Sequence, residues 1–170
     1  MLKVETLQKP RQPRTKSPEQ ALAALMRQCA RMEKCSHDAL TSMRCWGVAE
    51  EDARGVLARL QRERFIDDGR YAAAYVREKM RFSGWGERKI AAALRAKRID
   101  PHLIAEALEQ LSPEDSVNRL EEMIAKKAAK VTYRDLYDLK NKLIRFGMSR
   151  GFDLDDVLSA TERVLRSLEP

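Results

Sequence analysis

The chain has 170 residues, of which 44% are apolar, 6% aromatic and 35% charged, and its mean hydropathy is −0.55. Ala and Leu lead the apolar fraction, which favours helices, and no apolar run approaches the length that spans a bilayer. The net charge of +7 points to an anionic partner, but it is local: residues 1–16 carry +4, residues 69–98 carry +7 and residues 152–170 carry −3, which excludes a uniform basic coat.

Residues 1–16, MLKVETLQKPRQPRTK, hold two prolines and five basic residues without a helical period, and read as a disordered basic tail. Order is expected from Ser17-Pro18-Glu19, with serine as N-cap and proline at the first helical position. Leu22, Leu25, Met26 and Cys29 then mark one face of a helix to about Glu33. A short helix from Ser36 to about Cys45 stops at Gly47. The next, over about 49–64, turns Ala53, Val56, Leu57 and Leu60 inward.

The stretch from Phe65 to Asp100 organises the rest. Between Gly69 and Arg98, nine Lys or Arg stand against two acids, Glu78 and Glu87. Asp67 and Asp68 suit the N-terminus of a helix, where the dipole is positive. In that helix Tyr71, Ala74, Tyr75 and Phe82 form the expected packing stripe, while Arg70, Arg77 and Arg81 share another face. Ser83-Gly84-Trp85-Gly86 breaks it. A second helix follows with Ile90, Ala93 and Leu94 inside and Arg88, Lys89, Arg95 and Lys97 mostly outside. Asp100-Pro101 and Ser112-Pro113-Glu114 repeat the start signal, the first leading Leu103, Ile104, Ala107, Leu108 and Leu111, the second a helix to about Lys130. Two more helices are expected over about 133–149 and 153–167. Strand alternation is absent, so the fold class is all-α.

Overlaying these pieces exposes a repeat. RCWGVAEEDARGVLARL (44–60), RAKRIDPHLIAEALEQL (95–111) and SRGFDLDDVLSATERVL (149–165) bring Val48, Ile99 and Phe152 into register, with offsets of 51 and 53 residues. Ala53, Ile104 and Val157 then correspond, as do Val56, Ala107 and Ala160. One helix earlier, Ala39/Met43, Ile90/Leu94 and Leu143/Gly147 align at the same offsets. The chain therefore divides into three three-helix modules, 17–66, 67–111 and 112–170. Units this small bury little core alone, so neighbours are expected to stack into an elongated, curved rod.

FIDDGRYAAAYVR (65–77), GWGERKIAAALRAKRI (84–99) and RFGMSRGF (145–152) resemble signatures of the RecX family of bacterial recombination regulators. The resemblance covers about residues 18–168 and is weakest in the first module, where Cys45-Trp46 precedes Gly47. It implies three tandem helix-turn-helix-like modules in a non-enzymatic modulator of the RecA recombinase. Such a protein binds RecA and its nucleoprotein filament, lies in the filament groove, and limits extension, ATPase and strand exchange in recombination, DNA repair and the SOS response.

The expected partners are the RecA filament and, weakly and without sequence preference, single- and double-stranded DNA. Arg70, Arg77, Lys79, Arg81, Arg88, Lys89, Arg95 and Lys97 are the candidate contacts. A monomer with no membrane association and no cofactor is expected. The alternative is a helix-turn-helix transcriptional regulator, but the third helix of the second module, DPHLIAEALEQL, is acidic and poor in base-reading side chains.

Other constellations are read as structural. Asp67 and Asp68 are adjacent, with no third ligand in register, and serve as caps rather than a metal site. Cys29, Cys35, His37 and Cys45 lie within seventeen residues but form no C-x2-C knuckle, so no zinc is expected. Gly84-Trp85-Gly86 follows no strand and precedes no G-K-[ST], so Trp85 is an anchor for the turn rather than part of a phosphate loop. Neither His37 nor His102 has a nucleophile arranged around it, and no catalytic residue is assigned. Three cysteines cannot all pair within the chain, and the N-terminus lacks the apolar core of a secretory signal. Both features predict a cytoplasmic protein.

Overall fold

The computed structural model describes residues 15–168, so the expected tail lies outside the described residues except for its last two. Of those, Lys16 is fastened to the first module: its amide donates to the Trp46 carbonyl at 3.0 Å and its ammonium lies 3.7 Å over the Trp46 ring. The described residues form nine α-helices and no strand: α1 Pro18–Cys29, α2 Ser36–Cys45, α3 Glu50–Arg62, α4 Asp68–Glu78, α5 Glu87–Ala96, α6 Pro101–Glu109, α7 Pro113–Ala128, α8 Leu136–Arg150 and α9 Leu154–Leu168. A single π-helical turn, Lys79–Ser83, extends α4. The described residues separate into two compact units, divided between Ile66 and Asp67.

The start signals act as capping chemistry predicts. Ser17 accepts from the Gln20 amide while the Gln20 side chain accepts from the Ser17 amide, a reciprocal capping box. Asp67 accepts from the Arg70 amide at 2.9 Å, Asp100 from His102 at 2.8 Å and Ser112 from Asp115 at 3.4 Å. Helix α8 begins three residues later than the sequence suggested. Asp135 caps it by accepting from the Asp138 amide at 2.7 Å, while Asp138 accepts from the Arg134 amide at 3.1 Å.

In the first unit Ala21, Leu25, Ala39, Met43, Ala53, Val56, Leu60 and Ile66 close one core among α1, α2 and α3. Helix α1 ends at Cys29, short of the expected Glu33. In the second unit, Leu120, Ile124, Leu139, Leu143, Phe152, Val157 and Ala160 join α7, α8 and α9, and Ile90, Leu94, Ile99, Ile104 and Ala107 are buried in the α5–α6 region.

Every aligned helix position of the repeat is buried, from Ala39, Ile90 and Leu143 to Val56, Ala107 and Ala160. The shared register also has a backbone cause. Gly47, Arg98 and Gly151 occupy the same repeat position, and all are left-handed, with φ of 69°, 56° and 86°. That turn ends the second helix of each module and sends Val48, Ile99 and Phe152 back toward the core. The Val48 and Ile99 amides accordingly return to the Met43 and Leu94 carbonyls at 3.1 and 3.2 Å.

The packing stripe of α4 departs from expectation. Tyr71, Ala72, Val76 and Met80 are buried, Tyr75 is only half-buried, and Phe82 is 83% exposed. The π turn is the reason. Each of its residues rotates less than an α-helical residue, so Phe82 falls out of phase with Tyr71 and is carried to the surface.

Candidate functional site

The π turn leaves carbonyls that continue into no helix, because Gly84, left-handed at φ 60°, stops the chain there. Two arginines from the third module take them. Arg119 of α7 donates from one guanidinium nitrogen to the Met80 and Arg81 carbonyls at 3.1 and 3.0 Å, and Arg150 of α8 donates to the Ser83 carbonyl at 3.2 Å. A few residues on, the start of α5 meets the end of α8. The Gly86 amide donates to the Arg150 carbonyl at 2.8 Å and the Arg88 amide to the Gly151 carbonyl at 3.1 Å. The basic stretch of the second module is thus joined by its backbone to the third.

The eight expected contact residues divide according to their neighbours. Lys89 donates to the Ser149 carbonyl at 3.2 Å and lies 4.8 Å from the Trp85 ring centroid, so it helps to hold the junction. Lys79 is paired with Glu78 at 3.0 Å, with its ammonium 5.1 Å from the Tyr75 ring and 5.7 Å from that of Trp85. Trp85 is therefore flanked by two cations while its amide donates to the Lys79 carbonyl, which makes it the anchor of the turn. Lys97 lies 5.8 Å from the Tyr71 ring. Arg88 reaches Asp153 at 3.4 Å, an exposed pair worth little in water. Arg70 is exposed on the first turn of α4. Arg77, Arg81 and Arg95 are exposed, and their side chains make no hydrogen bond or ion pair among the described residues.

Glu87, one of the two acids in the stretch, is held above the usual glutamate range by partial burial and then by the nearby Asp153 and Asp156 carboxylates. Opposite charge gathers elsewhere. A cleft of about 850 Å³ opens between the π turn, α7 and α8. Arg81, Arg119, Lys126, Lys127, Lys130 and Arg150 line it against only two acids, Asp115 and Glu122, and exposed Phe82 stands at its edge. Sequence reasoning missed this cleft because its lysines belong to α7 and the turn after it, outside the stretch with the extreme charge. The signal available was the recurrence of Arg119, Met123, Lys126, Lys127 and Lys130 at helical spacing.

The cysteines differ in burial: Cys35 is buried, Cys29 half-buried and Cys45 exposed. Among the described residues no three His, Cys, Asp or Glu come close enough to hold a metal ion, and no helix is long and apolar enough to cross a membrane. His102 lies 3.2 Å from Glu106, one turn along the exposed face of α6.

Comparison with known proteins matches these modules to a family. The model of the RecX second three-helix domain matches residues 67–108, and that of the RecX third three-helix domain matches residues 114–161. The chain is 31% identical over 148 residues to Regulatory protein RecX of Streptomyces coelicolor, covering 85% of this chain and 79% of that protein. It is 27% identical over 166 residues to Regulatory protein RecX of Mycolicibacterium vanbaalenii, covering 91% and 90% of the two chains. The crystal structure of RecX from Lactobacillus salivarius shares the fold, with a TM-score of 0.77 and 20% identity over 86% of this chain and 96% of that one. With all-helical modules, a common fold and shared sequence along most of its length, the chain belongs to the RecX family of regulatory proteins.

Proposed function

We propose that this protein binds the RecA recombinase and its DNA filament and restrains filament extension, ATP hydrolysis and strand exchange. It does so as a cytoplasmic, monomeric, non-enzymatic regulator in recombination, DNA repair and the SOS response. The observation that carries the reading is the charge of the middle module: nine basic residues against two acids between Gly69 and Arg98, with Arg77, Arg81 and Arg95 exposed and unpaired among the described residues. A filament of protein wound on nucleic acid offers acidic side chains and phosphates to such a surface. Arg70, Lys79, Arg88, Lys89 and Lys97 complete the proposed contact set, Lys79 and Lys89 acting chiefly by shaping the surface around Trp85.

Direct DNA binding is weak and indifferent to sequence, because the acidic α6 offers few side chains that read base edges. The test is RecA ATP hydrolysis on single-stranded DNA with the protein titrated in at two salt concentrations. Arg77→Glu combined with Arg95→Glu relieves inhibition while leaving the fold intact, since both side chains are exposed. A folded double variant that inhibits as well as the parent rejects the assignment. A defined protected sequence in footprinting would favour a transcriptional regulator instead.

A further inference from the structure

Neither Arg77 nor Arg95 lines the cleft between the π turn, α7 and α8, whose chemistry is more specific. Lys126 and Lys127 lie in the last turn of α7 and Lys130 two residues past its end, its amide donating to the Lys127 carbonyl at 3.1 Å. Arg119 and Arg150 use guanidinium N–H groups on the Met80, Arg81 and Ser83 carbonyls, so they fix the wall while adding positive charge to it. Arg150 and Lys127 also lie 5.1 and 5.7 Å from the ring of Phe146, which is part of the cleft's lining. Lys126 is tied only by an exposed 3.6 Å pair with Glu122, and Lys130 makes no ion pair among the described residues.

Phe82 supplies the second component. The π turn puts this aromatic ring at 83% exposure beside a row of lysines, where it gains nothing from the core. A basic groove with a solvent-facing aromatic is the arrangement that holds unpaired nucleotides: the cations follow the backbone and the ring stacks on a base of any identity.

We infer that this cleft is a binding site for single-stranded nucleic acid, in which Arg81, Lys126, Lys127 and Lys130 hold successive phosphates and Phe82 stacks on a base. The volume of about 850 Å³ suits a few nucleotides and no more. Duplex fits poorly, because its bases are not available for stacking on Phe82. The inference rests on the reading of a regulator that works where RecA has opened the duplex, and it names the strand contact of that regulator.

The experiment measures binding of the isolated protein, without RecA, to a short labelled oligothymidylate and to an abasic oligomer of equal length. Phe82→Ala, which removes an exposed side chain and opens no cavity, weakens oligothymidylate binding roughly ten-fold and leaves the abasic oligomer unchanged. Lys126→Gln with Lys130→Gln weakens both oligomers and reduces the salt slope by about 1.4, at roughly 0.7 per phosphate lost. Equal binding of Phe82→Ala and the parent to oligothymidylate overturns the stacking site. Displacement of the oligomer by polyglutamate at equal charge concentration overturns it in favour of an acidic peptide. Inhibition of RecA is measured on the same preparations: a protein that inhibits RecA but binds no single strand refutes the cleft alone, and one that binds the strand but leaves RecA untouched refutes the regulatory reading.

Discussion

The amide of Gly86, which precedes α5, donates to the carbonyl of Arg150, the last residue of α8, at 2.8 Å. The C-terminal end of one helix thereby supplies acceptors to the N-terminal end of another. Free amides and free carbonyls cancel, and the two dipoles meet with opposite partial charges together. The contact admits no side chain, because an ideal Cβ on Gly86 would lie 2.5 Å from the Gly151 oxygen and 2.6 Å from the Phe152 nitrogen. One on Gly151 would overlap the Lys89 Cβ and amide nitrogen, in a backbone whose φ of 86° already disfavours an L side chain.

Gly86→Ala and Gly151→Ala therefore each destabilise the second unit. At Gly151 the left-handed backbone alone costs about 1–2 kcal/mol, and the clash adds to it. Urea denaturation followed by Trp85 fluorescence in a Trp46→Phe background reports that unit, since each unit holds one of the two tryptophans. Gly55→Ala is the control, read from Trp46 in a Trp85→Phe background: nothing lies within 4 Å of its would-be Cβ on α3, so the substitution raises stability of the first unit by about 0.5–1 kcal/mol. A Gly151→Ala protein as stable as the parent means that the two modules are not joined as described.

Arg98 holds a repeat position that glycine occupies in the other two modules, and does so at φ 56°. Its amide still donates to the Arg95 carbonyl at 2.8 Å, so the turn is formed despite the strain. Arg98→Gly is expected to stabilise the second unit by up to about 1 kcal/mol, an increase in urea midpoint in the same tryptophan assay. A decrease would mean that the arginine side chain contributes more than its backbone conformation costs.

Much of this architecture was legible in the chain because it depends on local chemistry. Ser17, Asp67, Asp100 and Ser112 announced their helices through cap geometry, and the repeat register followed from buried positions that recur at fixed offsets. The π turn was not legible. An α-helical period run through to Phe82 places that ring inside, and nothing in KMRFS signals the wider turn that carries it out. The same limit hid part of the site. Arg88 and Lys89 look like free cations beside one another in sequence, yet their partners Asp153 and Ser149 lie some sixty residues away. Lys126, Lys127 and Lys130 belong to a segment of mixed charge, and only the arrival of α8 and the π turn gives them a common cleft.

Arg119 serves two carbonyls from a single nitrogen, and both belong to the turn that presents Arg81 and Phe82. Arg119→Leu leaves those acceptors without their charged donor and should destabilise the second unit by about 1.5–3 kcal/mol. Arg119→Lys recovers only part of this, since an ammonium on a flexible stem does not reproduce the planar geometry. Amide exchange locates the effect: protection falls first in 79–84 while α9 keeps its own. Uniform loss of protection across the unit would show that Arg119 acts through global stability rather than on the turn.

Glu87 gives the fold a small acid-favoured component. Partial burial, Asp153 and Asp156 hold its folded value above the unfolded one, so ionising this carboxyl costs more in the native state than in the unfolded chain. The contribution is complete below the ordinary glutamate range and is lost as pH rises through the raised folded value. Helix α5 does little to offset this through its dipole, because the Gly86 and Arg88 amides already bind α8 carbonyls. Glu87→Gln, which mimics the protonated form, is accordingly more stable than the parent at neutral pH. Solvent screening of so exposed a group limits the gain to a few tenths of a kcal/mol. The two proteins converge in acid, where Glu87 is protonated in both states. Urea midpoints at pH 7 and pH 3 test the sign, and a variant less stable than the parent at neutral pH would show that attraction to Arg88 and Lys89 outweighs repulsion from the two aspartates.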